Sequence, residues 1–299
     1  MMNSRENCNE RNIGDATDAF GTSVWSFWRT SKKKNENGGP GKNSQNAAMP
    51  VPKNAIYYNM EHKKRGLALI FNHENFTIPH LKARTGTNAD AENLKKTLIN
   101  LGFEVRMYYD LTMEELDKVI EKASLFDHTD CDCLLMAVLS HGEQGILYAK
   151  NVPYKNDVLW MRFTADKCPT LAGKPKLFFI QACQGDKLDG GVTLTTQVDG
   201  SPSYKIPAHA DFVIAYSTIP GFYSWRNTSR GSWFMQALCQ ELNEYGYTCD
   251  LLTILTSVNR RVAIDYESNV PDNSTMHAQK QIPCITFMLT RLLKFSQKF

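Results

Sequence analysis

The sequence has no continuous apolar run approaching the ~18 residues of a membrane-crossing helix. Its opening stretch, Met1 to Asn12, carries Arg5, Glu6, Glu10 and Arg11 and has no apolar run of secretion-signal length. Neither sign of charge dominates. A formal charge of +3 over 34 basic and 31 acidic side chains leaves no footprint for nucleic acid or a membrane surface. The eight cysteines include no Cys-x-x-Cys pair and no tight framework, so a disulfide scaffold is not expected. Zinc is not expected either, because Cys131-Asp132-Cys133 has the wrong spacing and no partner pair nearby. No internal repeat is present. The expectation from these absences is a soluble cytoplasmic protein that uses no metal and no cofactor.

What is present is a chain of 299 residues, 42% hydrophobic, enough for one large core or two modest domains. Residues 1–53 read as a tail. Lys32 to Asn46 is charged, Gly-rich and nearly without large apolar residues, so burial cannot offset the entropy of ordering it. The patch Val24-Trp25-Ser26-Phe27-Trp28 is the exception. From Lys63 onward, short apolar runs alternate with amphipathic stretches. Strands are expected at Gly66–Phe71, Phe103–Tyr109, Cys133–Leu139, Leu177–Ala182, Phe212–Tyr216 and Ile282–Met288. Helices are expected at Asn88–Leu101, Met113–Ala123, Ser232–Tyr245 and Asp250–Tyr266. Strands without alternation, separated by helices, imply an α/β fold: a mostly parallel six-stranded sheet with helices on both faces. The segment from Asp186 to Pro207 is polar, rich in Gly, Ser and Thr, and too long for an ordinary connection. It is a candidate site of proteolytic nicking.

Ligands of open parallel sheets bind at the carboxyl ends of the strands. Here the third strand runs into Ser140-His141-Gly142-Glu143 and the fourth into Cys183-Gln184-Gly185-Asp186. A His and a Cys therefore leave the same edge from consecutive strands, which suits a nucleophilic pair. A thiolate attacks, and an adjacent imidazole takes its proton and later protonates the leaving amine. Gly142 has no side chain to block an approach to its N–H, which with that of Cys183 forms a candidate oxyanion site. For either His141 or Cys183 alone, core packing would be the better reading; their pairing at two strand ends favours chemistry.

Gln181-Ala182-Cys183-Gln184-Gly185 resembles the caspase signature Q-A-C-[RQG]-G, with His141 upstream slightly nearer than the usual ~50 residues. Similarity to that family extends to Ser140-His141-Gly142, to Lys82 through Asn88 (KARTGTN), and to Tyr223 through Asn227 (YSWRN). It also covers Gly231 through Phe234 (GSWF) and Gln279 through Cys284 (QKQIPC). The whole span from Tyr57 to Phe295 resembles insect executioner caspases most. The resemblance implies a cysteine endopeptidase that cuts proteins after aspartate, with His141 and Cys183 as the catalytic pair. It implies that Arg84, Gln181 and Arg226 line the pocket for the substrate aspartate, and planar guanidinium groups do bind carboxylates bidentately. Tyr223, Ser224 and Trp225 would line the next subsite, completed by Met276, and Trp233 a more distant one. For His141 it implies a main-chain carbonyl near Lys82 as partner.

The family reading divides the chain into a prodomain (1–53), a large-subunit part (54–185), a cleavable linker (186–207) and a small-subunit part (208–299). An enzyme that cuts after Asp can process itself. Asp199, followed by Gly200, lies in the linker, with Asp189 as the fallback. Asp18, followed by Ala19, is a second expected cut, and it would expose an Ala-first terminus of the kind inhibitor-of-apoptosis proteins bind. An upstream initiator caspase and a dimer of cleaved chains complete the expected partners. A pseudoenzyme acting as an interaction protein is the alternative, but the nucleophile, the His and the pocket Arg residues are all present. A recruitment domain needs ~80 ordered residues, more than the tail offers. A flavodoxin-like nucleotide binder would need a Gly-rich phosphate loop after the first strand, and Phe71-Asn72-His73-Glu74-Asn75 is not one.

Overall fold

The structure, a computed structural model, describes the backbone of Asp15–Thr17 and residues 50–189 and 210–298. The expected cuts after Asp18 and Asp199 and the Trp25–Trp28 patch lie outside the described residues.

Ten elements build the body. They are β1 (Leu67–Asn72), α1 (Thr87–Asn100), β2 (Glu104–Tyr109), α2 (Met113–Ser124), β3 (Leu134–Leu139), β4 (Lys176–Gln181), β5 (Phe212–Tyr216), α3 (Trp233–Tyr245), α4 (Leu251–Asp265) and β6 (Cys284–Phe287). The sheet runs in the order β6-β5-β4-β3-β1-β2. All neighbours are parallel except β6, which pairs antiparallel with β5. β1, β3 and β4 are buried at every position, which is why their middles are apolar runs.

The period-2 geometry of a strand sorts the two faces. Ala68, Ile70, Leu135, Ala137, Leu177, Phe179, Val213 and Ala215 face α1, α3 and α4 in one core. Leu69, Phe71, Met136, Val138, Phe178, Ile180 and Ile214 face α2 and the turns around Leu159 and Leu171 in the other. α1 presents Ala91, Leu94 and Leu98, all fully buried, and ends at Gly102, whose φ of 86° suits a residue without Cβ. α2 opens with a capping box: the Thr112 hydroxyl accepts from Glu115 N–H, and the Glu115 carboxylate accepts from Thr112 N–H. Asp250 caps α4 on the N–H groups of Leu252 and Thr253.

A buried ionic cluster ties the amino ends of β1 and β3 to the end of the chain. Asp132 receives Arg65 at 2.7 Å, Lys298 at 2.8 Å and His62 at 3.0 Å. The Arg65 guanidinium also donates to the carbonyls of Leu101 and Ser296.

The sequence reading predicts no strand at six further short pieces. Gly142–Glu143, Ile146–Tyr148 and Pro153–Lys155 form an antiparallel sheet beyond β3. Trp225–Asn227 pairs antiparallel with Gly231–Ser232 on one edge and with Asp15–Thr17 on the other. The last of these falls in the tail, where composition supports no independent fold. A short strand there borrows its hydrogen-bond ladder from the body.

Candidate active site

Register aligns the carboxyl ends of the central strands. Asn72 pairs with Leu139, and Leu139 with Gln181. The ladder continues one step past the strands: His73 N–H donates to Leu139 O, Ser140 N–H to Gln181 O and Ser217 N–H to Ile180 O. His141, Gly142 and Cys183 therefore emerge from one rim. A Cβ added to Gly142 would lie 2.9 Å from both the Ala182 Cβ and the Cys183 carbonyl oxygen. The backbone of position 142 can approach Cys183 this closely only as glycine.

Cys183 is buried. Its Sγ accepts from Ser224 N–H at 3.0 Å. Burial pushes the thiol pKa up, opposed by the Ser224 N–H and the charge of Arg84. The His141 ring is buried beside Phe76, their centroids 4.9 Å apart. Burial, and next the charge of Arg84, lower its pKa to about 4, against the Lys82 hydrogen bond. Its Nε2 sits 2.8 Å from the Lys82 carbonyl oxygen. A carbonyl only accepts, so Nε2 carries the proton of the neutral ring and Nδ1 holds the lone pair. Burial thus disfavours the charged form of both groups.

Of the three residues expected to bind aspartate, Arg84 acts on the thiol through its charge and Gln181 reaches it through Ser224, while Arg226 meets the loop after Arg84. Arg84 is fully buried, donating from one guanidinium nitrogen to His73 O at 3.0 Å and to Thr87 Oγ1 at 2.8 Å. Arg226, 2% exposed, donates from Nε to Thr85 O at 3.0 Å. The Gln181 amide donates to Ser224 Oγ at 2.8 Å. Burial lowers both guanidinium pKa values to about 10; for Arg84, Asp90 is the largest opposing charge. A carboxylate entering between these groups would relieve the desolvation that disfavours their charge.

Trp225 and Trp233 stack at 5.7 Å between centroids, and Trp233 stacks in turn on Tyr266 at 5.5 Å. Tyr223 is half-buried on the near side. The stretch after Cys183 does not leave the body at once. Lys187 N–H donates to Gly221 O, Tyr223 N–H to Lys187 O and Lys280 N–H to Asp189 O.

The model of the Caspase domain family matches residues 65–294. The chain belongs to the caspase family. It is 64% identical over 255 residues to Caspase-1 of Spodoptera frugiperda, covering 84% of this chain and 85% of that protein. It is 61% identical over 257 residues to Caspase drICE of Drosophila melanogaster, covering 84% of this chain and 76% of the relative. The crystal structure of Caspase-1 from Spodoptera frugiperda superposes with a TM-score of 0.80 at 63% identity, over 84% of this chain and 98% of that one. This caspase is an executioner: a cysteine endopeptidase specific for aspartate.

Several residues of this caspase site went unassigned in the sequence. Asp90, buried on α1, accepts from Ser232 N–H at 2.8 Å and from the Ser232 hydroxyl at 2.6 Å. Ser232 pairs in register with Arg226, so Asp90 holds the strand beside Arg226. A Cβ at Gly231 would fall 2.2 Å from the Asp90 carboxylate. A signal existed: Asp90 shares the buried face of α1 with Leu94, one turn on. Gln281 accepts from Trp225 N–H at 2.6 Å and donates to Ser217 O at 2.6 Å, joining the far end of the site to β5.

Proposed function

We propose that Cys183 is the nucleophile and His141 the general base and then general acid, with the N–H groups of Gly142 and Cys183 stabilising the oxyanion. Arg84, Gln181 and Arg226 hold the substrate aspartate. Tyr223, Ser224, Trp225 and Trp233 line the subsites that precede it. One observation supports this reading: a buried guanidinium, Arg84, acts by its charge on a buried thiol, and a second, Arg226, is buried against the adjacent Thr85 carbonyl. A carboxylate adds a negative charge beside both, and a neutral side chain supplies none against the cost of their burial.

The same reading covers activation. The chain is a zymogen of prodomain 1–53, large part 54–185, linker 186–207 and small part 208–299. It is cut after Asp199, by an initiator caspase and then by copies of itself. The Asp189 carbonyl, held by Lys280 N–H at 2.9 Å, makes the alternative bond a poor substrate. A second cut after Asp18 frees Ala19 for an inhibitor-of-apoptosis protein. Processed chains pair through the outer edge of β6, where Phe287 is 52% exposed, and act on protein substrates in the cytoplasm.

The test is hydrolysis of tetrapeptide reporters ending in Asp, Glu, Asn or Arg. Asp preference with loss of at least about 10³-fold in kcat for Cys183→Ala is expected. Preference for Arg would overturn the pocket assignment, and full activity of Cys183→Ala would overturn the nucleophile.

A further inference from the structure

Both main-chain groups of Ser224 face the thiol. Cys183 Sγ accepts from Ser224 N–H at 3.0 Å and donates to Ser224 O at 3.7 Å. The peptide that carries this carbonyl ends in the N–H of Trp225, which donates to Gln281 Oε1 at 2.6 Å. A trans peptide is planar, with C=O and N–H on opposite sides, so a group that fixes the N–H also fixes the C=O. Gln281 is 2% exposed and commits the other end of its amide to main chain as well, Nε2 donating to Ser217 O at 2.6 Å. An N–H on one side and a C=O on the other allow the amide one orientation. Ser217, fully buried, directs its hydroxyl to the residue before the nucleophile. It donates to Ala182 O at 2.9 Å and accepts from Ala182 N–H at 3.2 Å. The contacts close a ring from Cys183 through Ser224, Trp225, Gln281, Ser217 and Ala182 back to Cys183, and every member is buried.

From this ring we propose that Gln281 is a positioning residue for the nucleophile. Its amide holds the Ser224–Trp225 peptide against Sγ, and Ser217 anchors that amide to the strand end bearing Cys183. The inference rests on the reading of Cys183 as nucleophile and adds to it a residue that acts through Trp225. An N–H donated to sulfur favours thiolate over thiol, and the thiolate is the attacking form. Without the Gln281 amide, the Trp225 N–H and the Ser217 carbonyl are buried with no partner there, and the peptide turns toward another one. The Ser224 N–H then no longer meets the sulfur at hydrogen-bond distance.

The experiment compares full chains of wild type, Gln281→Met, Gln281→Asn, Gln281→Glu and Asp132→Ala. Each is treated with iodoacetamide, and modification of Cys183 is followed on its own peptide by mass spectrometry, beside kcat on an Asp reporter. Gln281→Met keeps the shape of the side chain without its polar atoms. Gln281→Asn keeps the amide but is one methylene too short to span both partners, and it carries the test where Gln281→Met does not fold. Both should slow Cys183 alkylation at least about tenfold, and kcat with it. Gln281→Glu near pH 6, where burial keeps a carboxyl protonated, offers the same acceptor and donor and should return the rate to within about twofold of wild type. Asp132→Ala destabilises the fold from the opposite ends of the strands and should not slow the reaction of Cys183. Unchanged rates in Gln281→Met and Gln281→Asn, a Gln281→Glu chain as slow as either, or equal slowing in Asp132→Ala would overturn the inference and leave the site reading intact. Turnover that survives complete alkylation of Cys183 in the wild type would overturn both.

Discussion

The ring of His141 is fixed by a main-chain oxygen, donating from Nε2 to the carbonyl of Lys82 over 2.8 Å. No carboxylate is needed to set the tautomer. The proton on Nε2 leaves the lone pair on Nδ1, and burial beside Phe76 keeps the ring neutral far below its ordinary range.

This sets an expectation for pH. An imidazole lowered from 6.5 to about 4 binds its proton less readily in the folded protein than in the unfolded chain. Its contribution to stability is complete above 6.5 and is lost as pH falls toward 4. His73, likewise lowered to about 4 by burial, adds to the same loss. The acid limb of kcat/KM should therefore lie below 6.5, and urea midpoints should fall over the same window. Phe76→Ala, which admits water to the ring, should move the limb back toward 6.5. A limb at or above 6.5 in the wild type would show that the ring is not held neutral.

Gly142 tests the closeness of the two strand ends. Alanine there must displace the Ala182 side chain, the Cys183 carbonyl or the Ile146 carbonyl, each within 3.0 Å of the new atom. Two of these are backbone groups, so the peptide carrying the nucleophile shifts. Gly142→Ala should reduce kcat about 10²-fold, the scale of a 1 Å misplacement, with a melting temperature close to wild type. Single-turnover kinetics checks that the loss is in the chemical step.

Asp132 carries stability and no chemistry. It neutralises Arg65 and Lys298 at the amino ends of the strands, whereas the candidate site lies at their carboxyl ends. Asp132→Ala leaves the Arg65 guanidinium, fully buried, without its carboxylate and should cost about 3–5 kcal/mol in urea unfolding. The kcat/KM of the folded fraction should stay at the wild-type value. Asp132→Asn, which keeps an acceptor oxygen, should cost less than alanine.

Much of this fold is written locally. The buried strands are continuous runs such as LALIF and LLMAVL, and the helices repeat their apolar residues at helical spacing. Each reads within a residue or two of where the structure places it. Strand ends bearing a His and a Cys are legible for the same reason: register follows from packing two covered faces. The short antiparallel pieces were not legible, because two or three residues carry no period.

The site divides along the same line. Residue types, order and motifs pick out His141, Cys183, Arg84, Gln181 and Arg226 before any coordinates exist. That Arg84 and Arg226 are buried, against the usual exposure of arginine, is decided only by the packing of the loop before α1 onto the strand Trp225–Asn227. The Lys82 carbonyl and the Ser224 N–H are backbone groups, identical at nearly every position; the family resemblance alone pointed to the first, and nothing in the sequence to the second. Asp15–Thr17 has the composition of a tail and forms a strand only against the edge of Trp225–Asn227. The sequence determined which side chains exist to react. Tertiary structure decided which of them lose water and which main-chain atoms they meet, because desolvation and backbone partners arise only when distant segments pack together.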